Sequence, residues 1–266
     1  MHPIWSGVLS FGLINIPIKV FSGTAGTKVE FNMLHKKDFS PIRYAKVCRK
    51  DGKELTQDDI VKGYEYRDGD YVVLTNEDLK SVNLDRSQAI DVLGFVKESE
   101  IDSIYFEKPY YLAPDKGAGK AYTVLLQSLK SAKKVGVAKF VLHSREHLGI
   151  IKPHEKVIVL EQMRFEDQVV AWQKIPLPKT ESPRAKELTM ATSFIDHLTE
   201  HFDPSDYKDR FHEKLMKLIK QKVKGHVVKV VKEKETSEPT KSTDLMAMLR
   251  ESLEKAKQNP QYFQSN

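Results

Sequence analysis

The sequence predicts an α+β protein that is mainly β, with an antiparallel β-barrel core, an extended β ribbon and a helical C-terminal part. Three observations carry this reading. Many short strand-like runs surround only one or two helical ones with few βαβ alternations, which favours a barrel over a doubly wound sheet. Two Asp-Gly dipeptides, Asp51-Gly52 and Asp68-Gly69, mark hairpin turns in an alternating stretch. Beyond Pro176 and Pro178 the apolar spacing changes to that of a helix.

Residues 5–21 read as β structure, with Ile14, Ile16, Ile18 and Val20 on one buried face and Gly7 and Gly12 permitting bends or bulges. Residues 23–26 break the strand, and Val29, Phe31 and Met33 then begin an extended, partly exposed ribbon. Residues 43–47 and 64–74 continue it as strands and turns. Thr75 caps a short helix whose first turn holds Glu77 and Asp78, acids suited to the positive end of the helix dipole. Strand-like runs resume at 89–96, 104–106, 109–112, 135–143 and 157–165. Between them a helix over 121–133 places Tyr122, Leu125, Leu126 and Leu129 at helical spacing.

In the C-terminal part, a helix over 187–202 places Leu188, Ala191, Phe194, Ile195 and Leu198 on one face. The next opens at Asp203-Pro204-Ser205-Asp206, buries Tyr207, Phe211, Leu215, Leu218 and Ile219, and stops at Gly225. Residues 231–243, with Pro239 and a polar composition, read as a flexible linker. Within 244–266 a short helix aligns Leu245, Met248, Leu249 and Leu253; too short to be stable alone, it docks on the core or folds against a partner.

The 266 residues carry a net charge of +6, unevenly spread. Residues 28–53 hold eight Lys and Arg against three acids, with His35 among them, whereas residues 54–102 hold five against thirteen. Residues 214–234 add eight lysines against one acid. Clustered cations on strands and turns suit phosphates. The N-terminal residues lack the basic and apolar regions of a signal peptide, and no apolar run approaches bilayer length, so the expected location is the cytoplasm, with no membrane partner. Cys48 is the single cysteine, which excludes an internal disulfide and a Cys-x-x-Cys zinc knuckle.

Three short patterns invite enzymatic readings. His197-Leu198-Thr199-Glu200-His201 matches an inverted zinc-protease motif, with Glu213 as a conceivable third ligand; a zinc-dependent hydrolase using His197, Glu200 and His201 is therefore an alternative, although the apolar stripe already explains the helix. Gly117-Ala118-Gly119-Lys120 lacks the first glycine and the Ser or Thr of a phosphate loop and reads as a turn entering a helix. Cys48, near His35 on an exposed ribbon, has nothing to build an oxyanion hole. An RNA-binding module is a further alternative, without an aromatic RNP-type signature. No catalytic residue, metal, cofactor or small-molecule substrate is expected.

Longer stretches carry a resemblance. Ile4-Trp5-Ser6-Gly7, residues 11–19, Leu34-His35-Lys36-Lys37-Asp38, residues 59–66, 71–75 and 101–106, Lys108 through Asp115, and Arg145-Glu146-His147-Leu148 resemble the prokaryotic Ku family, the DNA-end-binding proteins of non-homologous end joining, across nearly the whole chain. The resemblance implies a non-enzymatic core over 1–230, in which the barrel carries a bridge at about 28–66 and a helical arm at about 185–225. Two subunits would form a ring that threads onto a double-stranded DNA end, and the C-terminal helix, through Leu245, Met248, Leu249 and Leu253, would recruit a multidomain ATP-dependent ligase, ligase D. Two departures stand out: Cys48-Arg49-Lys50-Asp51 occupies a position where some relatives have Cys-x-x-Cys, and the long lysine-rich extension of many members is missing.

A protein that accepts any broken end must contact phosphates and sugars, which do not vary with sequence. The candidate DNA-binding residues are Lys28, His35, Lys36, Lys37, Arg43, Lys46, Arg49 and Lys50 on the bridge, with Arg145 after a barrel strand. Trp5, Tyr110 and Tyr111 read as packing residues that could also stack on a frayed base.

Overall fold

Period-two alternation shapes the first part of the chain. The structure, a computed structural model, describes residues 1–26, 29–81, 88–143, 145–178, 182–225 and 245–258. Its strands are β1 (Trp5–Phe11), β2 (Ile14–Ser22), β3 (Lys46–Val47), β4 (Glu54–Leu55), β5 (Lys62–Arg67), β6 (Asp70–Leu74), β7 (Ala89–Val96), β8 (Phe106–Pro114), β9 (Val135–Leu142), β10 (Arg145–His154) and β11 (Val157–Met163). The helices are α1 (Asn76–Ser81), α2 (Gly119–Ala132), α3 (Ala185–His197), α4 (Arg210–Val223) and α5 (Leu245–Gln258). Two compact units divide the chain, Met1–Ile175 and Pro176–Asn266.

In the first unit β1, β2, β8, β11, β10, β9 and β7 close a barrel in that order. All its ladders are antiparallel except β1 with β7, the parallel pair that completes closure. Inward positions of successive strands, among them Leu9, Ile16, Ile18, Ile90, Leu112, Ile151 and Leu160, are almost fully buried. Gly12, at φ 59°, makes the β1–β2 turn, whereas Gly7 serves packing rather than bending. A Cβ on Gly7 would lie 2.2 Å from the Gln88 carbonyl oxygen and 2.3 Å from the Trp5 ring. Of the run 104–106 expected as strand, Ile104 and Tyr105 belong to a 3-10 turn over Ser103–Tyr105, and Phe106 opens β8.

The barrel's two ends differ. Ser22 pairs with Tyr110 and the Gly23 amide bonds the Pro109 carbonyl at one end, from which the ribbon departs. It returns there at Gln88, whose carbonyl accepts from the Val8 amide. At the other end α2 lies against the barrel, burying Tyr122, Leu125, Leu126 and Leu129 as its spacing predicts. The Tyr122 hydroxyl donates to the Leu112 carbonyl at 2.5 Å and accepts from the Ile158 amide at 2.7 Å, bridging a rung of β8–β11. Burial raises its pKa, so it stays a donor. A buried hydroxyl satisfied on both sides in this way is costly to remove, at about 1–3 kcal/mol for each partner left unsatisfied.

The second unit departs from the predicted faces. α3 stops at His197, and α4 begins only after Asp209, whose side chain accepts from the His212 amide. On α3 the half-buried residues include Met190, Ala191, Phe194 and Leu198, while Leu188 and Ile195, predicted inward, are exposed. Tyr207 and Phe211 are likewise exposed, and Leu215, Met216, Leu218 and Ile219 are half-buried. Gly225 ends α4 at φ 74°. α5 contacts α3. The linker over 231–243 lies outside the described residues.

Candidate nucleic-acid interface

The ribbon is built from hairpins that turn where short polar residues and glycine permit. β3 and β4 pair through the Asp51-Gly52 turn, and β5 and β6 through Asp68-Gly69, with Gly52 at φ 72° and Gly69 at φ 82°. Ahead of them an isolated bridge joins Leu34 and Pro41 across the loop that carries Lys36 and Lys37.

Two segments of the ribbon fold into the same turn. In His35-Lys36-Lys37-Asp38 the Phe39 amide donates to the His35 carbonyl at 2.8 Å and the His35 amide to the Ser40 carbonyl at 2.9 Å. In Cys48-Arg49-Lys50-Asp51 the Gly52 amide donates to the Cys48 carbonyl at 3.0 Å and the Cys48 amide to the Lys53 carbonyl at 2.9 Å. Each turn closes on a left-handed residue, Phe39 at φ 57° and Gly52. For a residue as bulky as Phe39 this conformation costs on the order of 1–2 kcal/mol.

The aspartates hold the turns. Asp38 accepts from the Ser40 amide at 3.1 Å, the Ser40 hydroxyl at 2.8 Å and His35 at 2.8 Å. The Ser40 bonds, and after them His35, keep its carboxyl below the usual carboxylate range. Asp51 is lowered in the same way, first by the half-buried Cys48 thiol and then by the Lys53 amide. Two of the three negative charges of this basic segment, Asp38 and Asp51, are thus directed at their own turns, and each turn raises two neighbouring cations on its tip.

The predicted site residues separate accordingly. Lys36, Lys37, Arg49 and Lys50 are exposed at the two tips and make no ion pair among the described residues. Arg43 instead reaches Glu54 at 3.1 Å, and Lys46 donates to Gln57 at 2.6 Å, so these two brace the ribbon. His35 is the partner of Asp38. Arg145 is exposed at the head of β10 opposite Leu142. Because Phe140 pairs with Ile90, that hairpin lies at the barrel end where the ribbon returns. Lys28 lies outside the described residues. Asp38 and Asp51, which hold the turns beneath the candidate cations, were missed by sequence reasoning; the repeated order of two cations followed by aspartate was the available signal.

Apolar side chains share the ribbon. Every residue of β5, and all of β6 but Leu74, is exposed. Tyr64 faces Val72 across the pair on one side, and Val73 lies opposite Gly63 on the other, so both faces are apolar. Phe31, Phe39 and Tyr44 are more than two-thirds exposed. Trp5 and Tyr110, by contrast, pack in the barrel, Tyr110 fully buried with its hydroxyl bonded to Gln162 at 3.2 Å. Tyr111 lies 6.4 Å from the His154 ring.

The geometry of the hydrolase alternative fails. That motif needs both histidines on one helix, but α3 ends at His197 and His201 follows in irregular chain. Among the described residues no group of three His, Cys, Asp or Glu side chains could hold a metal ion. Gly117, at φ 83°, makes the turn into α2 that its sequence suggests. Among the described residues, no helix is long and apolar enough to cross a membrane. Of the C-terminal apolar face, Leu249 and Leu253 are half-buried and Met248 is exposed, while the Leu245 side chain lies outside the described residues.

A closed barrel carries an extended ribbon whose hydrogen-bonded turns expose cations that make no ion pair among the described residues, an arrangement that can meet phosphates without reading base edges. Residues 10–190 match the Ku family by its Ku70/Ku80 beta-barrel domain, and the chain belongs to that family. It is 37% identical over 254 residues to the non-homologous end joining protein Ku of Opitutus terrae, covering 95% of this chain and 91% of that one. The protein of the same name from Koribacter versatilis is 39% identical over 251 residues, covering 94% and 85%, and that from Bacillus subtilis 38% over 260, covering 97% and 83%. The SPOC domain of human PHD-finger protein 3 aligns with 61% of this chain and 95% of that one at a TM-score of 0.29 and 13% identity, a likeness that carries no structural argument.

Proposed function

We propose that the chain is a non-catalytic, homodimeric clamp on the ends of double-stranded DNA, acting at breaks repaired by non-homologous end joining. The observation that carries this is the ribbon itself, which bears free cations at Lys36, Lys37, Arg49 and Lys50 and apolar residues on both faces of β5–β6. A two-stranded ribbon is marginal alone, and an apolar surface of this extent calls for a partner. A second copy, presenting the same ribbon, supplies a self-complementary cover and closes a ring. Relatives named for non-homologous end joining support the repair context, and a cytoplasmic, nucleoid-associated location follows from the substrate.

Backbone charge is the same at an end and in mid-duplex, so end preference must come from topology: a closed ring admits DNA only where a terminus exists. A band-shift comparison of linear duplex with the same DNA as a covalently closed circle tests this in moderate salt. Strong binding to the line and at least tenfold weaker binding to the circle is expected, with duplex RNA as competitor testing the RNA alternative. Equal binding to line and circle would refute threading.

The domain roles belong to the same proposal: a core over 1–230 with its helical arm at about 185–225, a linker over 231–243, and a ligase-recruiting segment over 244–266. Leu245, Met248, Leu249 and Leu253 would dock on the multidomain ATP-dependent ligase D. In the structure α5 already meets α3, so docking draws on the exposed Met248 first or exchanges one partner for the other. Deleting the chain from Thr243 onward is expected to abolish ligase stimulation and leave DNA binding within twofold of wild type. Unchanged stimulation would sink this assignment.

A further inference from the structure

At the barrel end away from the ribbon, the burial pattern breaks. Ile16, Ile18 and Val20 are buried, but Ile14, in phase with them, is 47% exposed. Phe95 near the end of β7 and Val124 on α2 are 48% and 59% exposed. Together with Phe11, Leu125 and Leu129 they line one groove of about 780 Å³ between α2, the β1–β2 hairpin and β7. Among the described residues its only charged lining residues are Lys120 and Lys134. The α2 sequence contains no acid, and the acids nearby in sequence are engaged: Asp115 with Lys19 at 2.8 Å and Glu98 with Lys152 at 3.0 Å.

We propose that this groove is a docking site for a short amphipathic segment of a partner protein, with two or three apolar anchors flanked by acidic residues. Volume and lining fit a few side chains rather than a flat interface. An apolar floor offers nothing to a nucleic-acid backbone, and two lysines are too few to hold one. The helices α4 and α5 of a second copy fit poorly, because α4 is rich in lysine and α5 carries Arg250, Lys255 and Lys257 beside Glu251 and Glu254. The lysine rim therefore selects an acidic partner, by attraction and by penalising basic segments. Position supports the assignment. β2 runs from Ile14 at the groove to Ser22 at the ribbon, a span of roughly 25 Å. An occupant of the groove therefore does not compete with what the ribbon carries, and the inference stands whether or not two subunits close a ring.

The test is a phage-displayed library of random 16-residue peptides selected on the full chain, with counter-selection on Val124→Glu. Val124 is exposed enough for that change to leave the fold intact, which thermal unfolding would verify; Phe95→Ser provides a second, independent variant. Recovered peptides are expected to be acidic, with apolar residues three or four apart. Synthesised and measured by fluorescence anisotropy, they should bind with micromolar affinity, at least tenfold more weakly to either variant, and several-fold more weakly to Lys120→Glu/Lys134→Glu. Linear DNA should bind Val124→Glu as it binds the wild type. Recovery of only neutral or basic peptides, or of none that the counter-selection removes, would overturn the proposal, as would Val124-dependent self-association of the chain.

Discussion

Replacing Lys36, Lys37, Arg49 and Lys50 together by glutamate is expected to weaken binding to linear duplex by about a thousandfold near physiological salt and to flatten its salt dependence. The four cations sit in pairs on turns whose aspartates bond their own backbone and His35 or Cys48, and none of the four makes an ion pair among the described residues. Each phosphate contact releases roughly 0.9 counterion, worth about 1 kcal/mol at ~0.15 M salt. In the proposed dimer two subunits would offer eight such cations; if half of them touch the duplex, roughly 4 kcal/mol is lost, which is the thousandfold. The wild-type slope of log affinity against log salt should have a magnitude of roughly 5–10, and the variant's should be smaller by about 4. Arg43→Glu and Lys46→Glu provide the contrast. These residues are held by Glu54 and Gln57, so their loss should act mainly through the ribbon's shape. A salt titration in which the fourfold variant kept the wild-type slope would show that the duplex lies elsewhere.

The barrel was legible because its physics is local. Alternation at Ile16, Ile18 and Val20, the helical spacing of Tyr122, Leu125, Leu126 and Leu129, and the two Asp-Gly turns each express a period or a turn geometry that neighbouring residues determine. What could not be read depends on partners distant in sequence. Gly7 looked like a bend, yet its role is set by the Gln88 carbonyl, far along the chain, pressing where a Cβ would stand. The parallel closure of β1 on β7 is likewise a long-range choice. The site was legible as a charge cluster but not as a geometry. Residue type alone does not tell the free Lys36 from Lys46 bonded to Gln57. In the second unit, Leu188, Ile195, Tyr207 and Phe211 fit an apolar stripe but lie exposed, because which part of a broad stripe is covered depends on the surface that meets it.

Tyr64→Asp combined with Val73→Asp is expected to turn the proposed dimer into a monomer while the barrel stays folded. Tyr64 and Val73 occupy opposite faces of β5–β6, so any arrangement in which a second copy covers the ribbon desolvates at least one of them. Both are more than half exposed in the single chain, and neither contributes to the buried core. Their replacement therefore leaves Leu9, Ile16, Leu112 and the rest of the interior untouched. In a two-fold interface each change counts twice. Truncating a central aromatic anchor typically costs about 2–4 kcal/mol, and placing a charge in a desolvated apolar contact costs no less. The dimer constant should therefore rise by at least roughly a thousandfold, which moves a nanomolar dimer toward monomer at micromolar concentration. Light scattering reads the mass and thermal unfolding reads the barrel. The monomer keeps its turn-tip cations but forms no ring, so it should bind line and circle equally and weakly. Threading and simple backbone adhesion separate at this point: a variant that was monomeric yet still preferred open ends would require the end to be recognised by one subunit alone, and the closed ring would no longer be needed to explain the preference.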